Sequence, residues 1–404
     1  MDTTPTMRPC WVEIDTRALE DNYRFLRQLA GEATECLAIV KANAYGHGLE
    51  LCARAAVRAG ARWLGVTSVE EGVAARAACP DARIVVMAGV FPGQARAVYE
   101  NRLTPVVWDF WQLDELENFA RAHGCAAGSI RVHLEIDTGM SRQGVAPDQL
   151  AAWLARFTAE SAIAMEAVMT HLYGSDEAHG ETTTHQLAIL EESLGQVAAA
   201  LPSRQTWLSV GASAALLGGA AEQIRGLAAR VGLTPMLRLG LALFGLTPPF
   251  DPAFDAGDEP EELEAASKRL KPVLEWKTRV VTVREVPPGA NVGYNGTFVA
   301  TEPMRLALIA VGYADGLDRR LGNRFSLLVR GQRAPLVGRV SMDQAVVDVT
   351  EIADVTPGDE VVILGAQGGE TITAFDHAEV AGTIPWEVFT RIGARVRRME
   401  AGSL

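Results

Sequence analysis

No run of apolar residues in this 404-residue chain approaches the roughly 20 positions that a membrane-spanning helix needs. Its first residues, Met1 to Arg8, lack the apolar core of a secretory signal. Cysteine is scarce: Cys10, Cys36, Cys52, Cys79 and Cys125 are odd in number and form no C-x-x-C pair. They read as free thiols in a reducing compartment, so a cytoplasmic protein is expected. Basic residues are outnumbered, 37 Lys and Arg against 50 Asp and Glu, for a net charge of −13. Such a chain has no basic stripe with which to hold a nucleic-acid backbone. The G-x-x-x-x-G-K, H-E-x-x-H and paired C-x-x-C patterns are absent too, which leaves nucleotide hydrolysis and zinc chemistry without support. No metal is expected.

What is present is an alternation. Short apolar runs at 36–40, 63–67, 83–88, 103–108, 130–136, 164–171, 207–210 and 236–239 are separated by Ala-rich stretches of helical character. Helices are expected at 49–59, 69–78, 94–101, 109–123, 147–160 and 182–200, with an extra one at 16–30 before the first run. Eight strands alternating with helices over such a length predict a (β/α)₈ barrel rather than an open sheet. Residues 248–271, with Pro249, Pro252, Pro260 and an acidic run at 258–264, read as a linker with a short solvated helix. Beyond it, runs at 273–286, 305–313, 325–329, 345–349 and 360–364 lie between Gly and Pro turns and predict a mostly β domain. The expected fold is therefore α/β + β: a barrel at 11–247, a linker at 248–271 and a β domain at 272–404. The run at 10–14 has no helix-packed partner and is expected to pair with the second domain.

In a barrel of this kind, chemistry gathers where strands end. Lys41 follows the first run and a Gly-containing turn follows Lys41. Alone it reads as a surface lysine ending a strand; held at the mouth of a site, its desolvated amine becomes nucleophilic enough to form a Schiff base. Arg142 follows the fifth run, His171 closes the sixth, Ser213 follows the seventh, and Arg238 and Gly240 close the eighth. Five strand ends thus offer candidate chemistry to one mouth. Asp-Thr-Gly at 137–139 resembles the turn of aspartic proteases, but that mechanism needs two such carboxylates and only one copy occurs.

Several segments in fixed order carry a wider resemblance. They are Val-Lys-Ala-Asn-Ala-Tyr-Gly-His-Gly at 40–48, Asp-Thr-Gly-Met-Ser-Arg-Gln-Gly at 137–144 and Met-Thr-His at 169–171. Arg-Leu-Gly-Leu-Ala-Leu-Phe-Gly at 238–245, Gly-Tyr-Ala-Asp-Gly at 312–316 and Gly-Arg-Val-Ser-Met-Asp-Gln at 338–344 complete the set. Together the chain resembles the alanine racemase family, fold-type III enzymes of pyridoxal 5′-phosphate. The resemblance implies that Lys41 anchors the cofactor and that Tyr45, Ser213, Gly240 and Leu241 contact its phosphate. It implies Arg238 at the pyridine nitrogen and His171 packed against the ring. Racemisation needs two opposed groups at the substrate carbon, and the resemblance supplies Lys41 and Tyr294. Tyr294 would come from the partner subunit of a homodimer, together with Met342 at the substrate carboxylate and Tyr313 by the access route.

The sequence departs from that family at two places. Glu135 stands where the family usually has a carbamylated lysine beside the arginine that here is Arg142, which contacts the cofactor's phenolic oxygen and the substrate. The expectation is that Glu135 keeps the negative charge against Arg142, directly or through water, and that no carbamate forms. Trp386 replaces a tyrosine that touches the phosphate and narrows the pocket. An indole brings one N–H donor, no hydroxyl and a larger ring. Alanine is the expected substrate, with serine or a broader set of small amino acids as the alternative. A fold-type III decarboxylase or lyase, or a non-catalytic cofactor-binding protein, are the readings from other classes.

Overall fold

A computed structural model describes residues 8–177, 180–200, 206–247 and 261–403. The described residues fall into two compact units. One holds Arg17–Ala44 and Leu49–Pro272; the other holds the residues before Arg17, Tyr45–Gly48 and the chain from Val273 onward.

The first unit is a closed barrel of eight parallel strands: Glu35–Ile39, Trp63–Val66, Arg83–Val86, Leu103–Val107, Ile130–Glu135, Ile163–Met169, Trp207–Ala212 and Thr234–Leu239. The eighth closes on the first, with Leu37 opposite Arg238. Nearly every strand residue is buried, as expected for parallel strands covered by helices on the outside and filled side chains within. Local sequence sets the helix ends. Phe110–His123 starts at Asp109, which forms a capping box with Gln112, and stops at Gly124 in the left-handed region.

Two expectations change. The helix read at 147–160 is only a 3₁₀ turn, Pro147–Gln149, and a short helix, Leu150–Leu154, because its buried positions end at Leu154. Between the seventh and eighth strands lie two helices that were not expected, Ser213–Leu217 and Ala221–Arg230, divided by the pair Gly218 and Gly219. The Pro-rich stretch read as a linker lies outside the described residues as far as 260; beyond it Glu261–Arg269 is a helix that buries Leu263 and Ala266.

Asn22, buried on the helix Thr16–Ala30, ties down the chain where it leaves the barrel. Its amide donates to the carbonyls of Leu243 (3.2 Å) and Lys271 (2.8 Å) and accepts from the Lys271 N–H (2.9 Å). Gly245 sits inside this knot at φ +88°, where a Cβ would stand 1.9 Å from the Lys271 carbonyl oxygen. A side chain there meets both a strained backbone and an immovable neighbour. Gly245→Ala is therefore expected to lower unfolding free energy by about 3 kcal/mol or more. Urea denaturation checks this, and a loss under about 1 kcal/mol would show that the knot is loose.

The second unit is built on one long strand, Leu274–Val286, which pairs antiparallel with Cys10–Ile14, Met304–Ile309 and Glu360–Gln367. Cys10–Ile14 also pairs in parallel with Arg397–Glu400. The short strand Gln332–Pro335 and the helices Ala374–Ala381 and Pro385–Thr390 were not foreseen. Among the described residues no helix is long and apolar enough to cross a membrane. All five cysteines are free.

Candidate functional site

Lys41 stands two residues past the first barrel strand, where the chain turns in an unusual way. The sequence suggested a glycine turn, but the turn begins before the glycines: Ala42, Asn43, Ala44 and Tyr45 all have φ between 51° and 55°. Left-handed backbone costs such residues on the order of 1–2 kcal/mol each, so neighbouring groups must hold it. The Ala44 N–H bonds the Val40 carbonyl (2.8 Å), and the Asn43 side chain accepts from the Leu49 N–H (2.8 Å) at the start of the next helix. The Glu71 carboxylate accepts from the N–H groups of Asn43 (3.1 Å) and Thr67 (2.9 Å). This fixed turn leaves Lys41 only partly exposed. Burial, then the charges of Arg142 and Arg238, lower its pKa below that of an ordinary lysine.

Arg238, at the end of the eighth strand, is fully enclosed. Its terminal nitrogens donate to the Ser209 carbonyl (2.8 Å) and hydroxyl (3.1 Å), the Thr170 carbonyl (2.9 Å) and His171 Nδ1 (2.8 Å). These four bonds leave the Nε–H as its remaining donor. Burial lowers the Arg238 pKa to about 10, with Glu135 opposing that shift, so the guanidinium stays charged at neutral pH. The same contact fixes His171. Burial and the nearby cations Arg238, Arg142 and Lys41 push its pKa down to about 3, so the ring is neutral with Nδ1 as acceptor and its proton on Nε2.

Ser213 opens the first helix after the seventh strand and is buried. Its oxygen accepts from the N–H groups of Gly240 (3.0 Å) and Ala242 (3.3 Å), which draws the ends of the seventh and eighth strands together. The Ser213 hydroxyl proton and the Leu241 N–H lie at this junction, a donor set suited to an acceptor-only group such as phosphate.

Arg142 is carried by the loop after the fifth strand. Asp137 shapes that loop, its carboxylate accepting from the N–H groups of Gly139 (2.9 Å) and Ser141 (3.1 Å). The Asp-Thr-Gly turn is therefore a scaffold for Arg142, not a protease motif. A cavity of about 150 Å³ brings Lys41, Arg142, His171 and Arg238 together, with Gln143, Met87 and Thr67. Cations and a neutral histidine around a small cavity suit an anionic, ring-bearing cofactor. Among the described residues no cluster of three or more metal-ligating side chains occurs. The sequence reading gave Gln143 and Thr67 no role, although Gln143 lies in a segment it singled out and Thr67 at a strand end.

The remaining candidates belong to the second unit. Tyr45 is half-buried, and burial pushes its phenol up to about 12. The segment after it packs on the helix Pro385–Thr390, which carries Trp386: a Cβ on Gly46 would meet the Phe389 carbonyl at 2.2 Å, and the His47 and Phe389 rings lie 4.9 Å apart. Tyr313 and Met342 are placed side by side by backbone bonds, Tyr313 N–H to Ser341 and Ala314 N–H to Met342, both 3.0 Å. Buried Asp315 locks this pair of turns by accepting from the Gly312 N–H, Arg8 and Arg395. Tyr294 stands on a turn that the close approach of Gly338 to the Val292 carbonyl sets against the same stretch of chain. Tyr294, Tyr313 and Met342 are 69%, 43% and 54% exposed, a large apolar surface to leave open.

Comparison with known proteins identifies the family. Residues 14–248 match the family described as alanine racemase, N-terminal domain, and 273–400 match alanine racemase, C-terminal domain. An alanine racemase of Symbiobacterium thermophilum is 38% identical over 404 residues, covering 98% of each chain. The chain belongs to the alanine racemase family. A crystal structure of the alanine racemase from D-cycloserine-producing Streptomyces lavendulae superposes with a TM-score of 0.85 at 34% identity, covering 99% of each chain. The Bartonella henselae alanine racemase, solved with covalently bound pyridoxal phosphate, superposes with a TM-score of 0.79 at 27% identity, covering 98% of this chain and all of that one.

Of the two ways in which Glu135 was expected to face Arg142, the direct one does not occur among the described residues. It is buried, and its direct partner is Gln143, whose amide donates to it at 2.5 Å and to the Met87 carbonyl at 3.2 Å. Among the described residues no ion pair joins Glu135 to Arg142. Burial raises the Glu135 pKa, while Gln143, Arg238 and Arg142 pull it back down. Gln143, next to Arg142 in the chain, is the side chain that Glu135 bonds directly.

Proposed function

We propose that the protein is a pyridoxal 5′-phosphate-dependent alanine racemase, an isomerase that interconverts L- and D-alanine. The observation that carries this reading is the convergence of Lys41, Arg142, His171 and Arg238 on one cavity at the C-terminal ends of the barrel strands. Lys41 would hold the cofactor's aldehyde carbon. Ser213, Gly240 and Leu241, with Tyr45 and Trp386, would hold its phosphate, and His171 would pack on its ring. When bound, the cofactor supplies an electron-withdrawing ring that acidifies the substrate Cα–H.

The chain's own residues do the rest. Arg238 remains charged and offers only a donor, so the ring nitrogen keeps its lone pair and no proton reaches it. His171 is neutral and cannot supply that proton. Lys41, with its lowered pKa, is freed as an amine when substrate takes its place and serves as base on one face of Cα. The partner subunit's Tyr294 would serve on the other face in a head-to-tail homodimer, with Met342 and Tyr313 lining the substrate's side. The exposure of these three side chains supports that arrangement. Five unpaired thiols fit a cytoplasmic location.

The deciding experiment is solvent-deuterium incorporation at Cα of L- and D-alanine by the purified protein with pyridoxal phosphate. Washing-in from both enantiomers with racemisation is expected; carbon dioxide release would mean a decarboxylase, and neither product a binding protein. A screen over alanine, serine and larger amino acids should favour alanine. Trp386→Tyr, by replacing the large ring, is expected to shift the serine-to-alanine ratio of kcat/KM by about 3- to 30-fold. An unchanged ratio would remove Trp386 from the pocket.

A further inference from the structure

A cavity larger than the mouth lies at the other end of the barrel. About 320 Å³ in volume, it opens where the third, fourth and fifth strands begin, so it sits at the N-terminal face, away from Lys41. Arg76, Arg83, Arg102 and Arg131 line it together with Asp81, and Glu166 behind it pairs with Arg83 and Arg131, in a protein whose net charge is −13. These arginines are not equivalent. Arg76 spends its donors on backbone carbonyls, those of Asn101 (2.9 Å), Pro80 (2.8 Å), Ala82 (2.6 Å) and Arg102 (3.0 Å). It thereby braces Arg102, whose own backbone is left-handed at φ 50°.

Arg83 and Arg131 both donate to one oxygen of Glu166, Arg131 at 3.2 Å. Arg83 is held further by stacking, its guanidinium carbon 4.0 Å from the Trp63 ring centre and 4.6 Å from that of Trp207. Each of these bonds uses one N–H of a five-donor group, and Arg102 gives one N–H to the Pro80 carbonyl (2.9 Å). Three anchored guanidiniums therefore keep spare donors on this face, Arg83 and Arg131 lining both this cavity and a neighbouring one of about 420 Å³ beside Glu166, with half-exposed Tyr99 as an aromatic wall. Arginine forks of this kind match the oxygens of a phosphate, and the volume exceeds what an inorganic ion fills.

We propose that this face is a second ligand site, for a small phosphate-bearing molecule, held by Arg83, Arg102 and Arg131. It is separate from the mouth that the proposed reaction uses. The test is calorimetric titration of pyrophosphate into the protein saturated with pyridoxal phosphate, with unbound cofactor removed so that the mouth's own phosphate position is filled. One pyrophosphate per chain is expected, weakened at least about tenfold by the double change Arg102→Ala and Arg131→Ala. Both side chains are exposed, and an unchanged racemisation rate in the variant shows that it is folded; the single change Arg131→Ala, read the same way, serves if the double variant is not. Citrate run in parallel separates the sources of negative charge. No binding of pyrophosphate, binding that the variants leave intact, or citrate binding as tightly as pyrophosphate would overturn the proposal.

Discussion

Lys41→Ala is expected to lose racemisation by about 10⁴-fold or more and, with it, the visible absorbance of the covalently held cofactor. Two roles meet in this one amine, so the loss should exceed that of either role alone. As anchor, it is the only lysine lining the mouth cavity among the described residues. As base, it depends on the environment that lowers its pKa: burial first, then two guanidiniums that are present for other reasons. The left-handed turn at 42–45 is what holds it there. Borohydride reduction followed by mass spectrometry of peptides reads the anchoring role separately from activity. A variant that retained activity within about tenfold of the parent protein would place the chemistry on another amine.

Tyr294→Phe should separate the two faces of the reaction. Removing one hydroxyl leaves the ring, the turn and the exposed surface unchanged, so folding and cofactor binding should survive. Racemisation is expected to fall by about 10²–10⁴-fold, the usual worth of one acid–base group. Exchange of the Cα hydrogen with solvent deuterium should persist for the enantiomer whose proton faces Lys41, and be lost for the other. Equal loss from both enantiomers would mean that Tyr294 positions substrate rather than moves a proton. Because Tyr294 would act on the partner's Lys41, equimolar mixing of the Lys41→Ala and Tyr294→Phe variants should restore about a quarter of the activity once subunits exchange. A mixture no better than its parts would contradict sharing of sites between subunits.

The sequence by itself determined the barrel, because buried parallel strands read as apolar runs and the helices between them as Ala-rich stretches. It also determined which residues end those strands, and so named Lys41, Arg142, His171, Ser213 and Arg238 together. Strand ends are local facts, set by where an apolar run stops. Side-chain pairing is not local. Only the tertiary structure decided that Glu135 takes Gln143 rather than Arg142, since Gln143 stands eight positions further along a loop folded back by Asp137. The neutral state of His171 likewise rests on its burial and on Arg238, 67 residues away, at 2.8 Å. The helix at 213–217 escaped because five residues are too few to show a period, whereas that at 221–230 buries Ala221, Ile224, Leu227 and Ala228 at helical spacing and was legible in the pattern. The arginine cavity escaped because it is not local: four basic residues spread from 76 to 131 look like ordinary surface charge until three strands begin side by side.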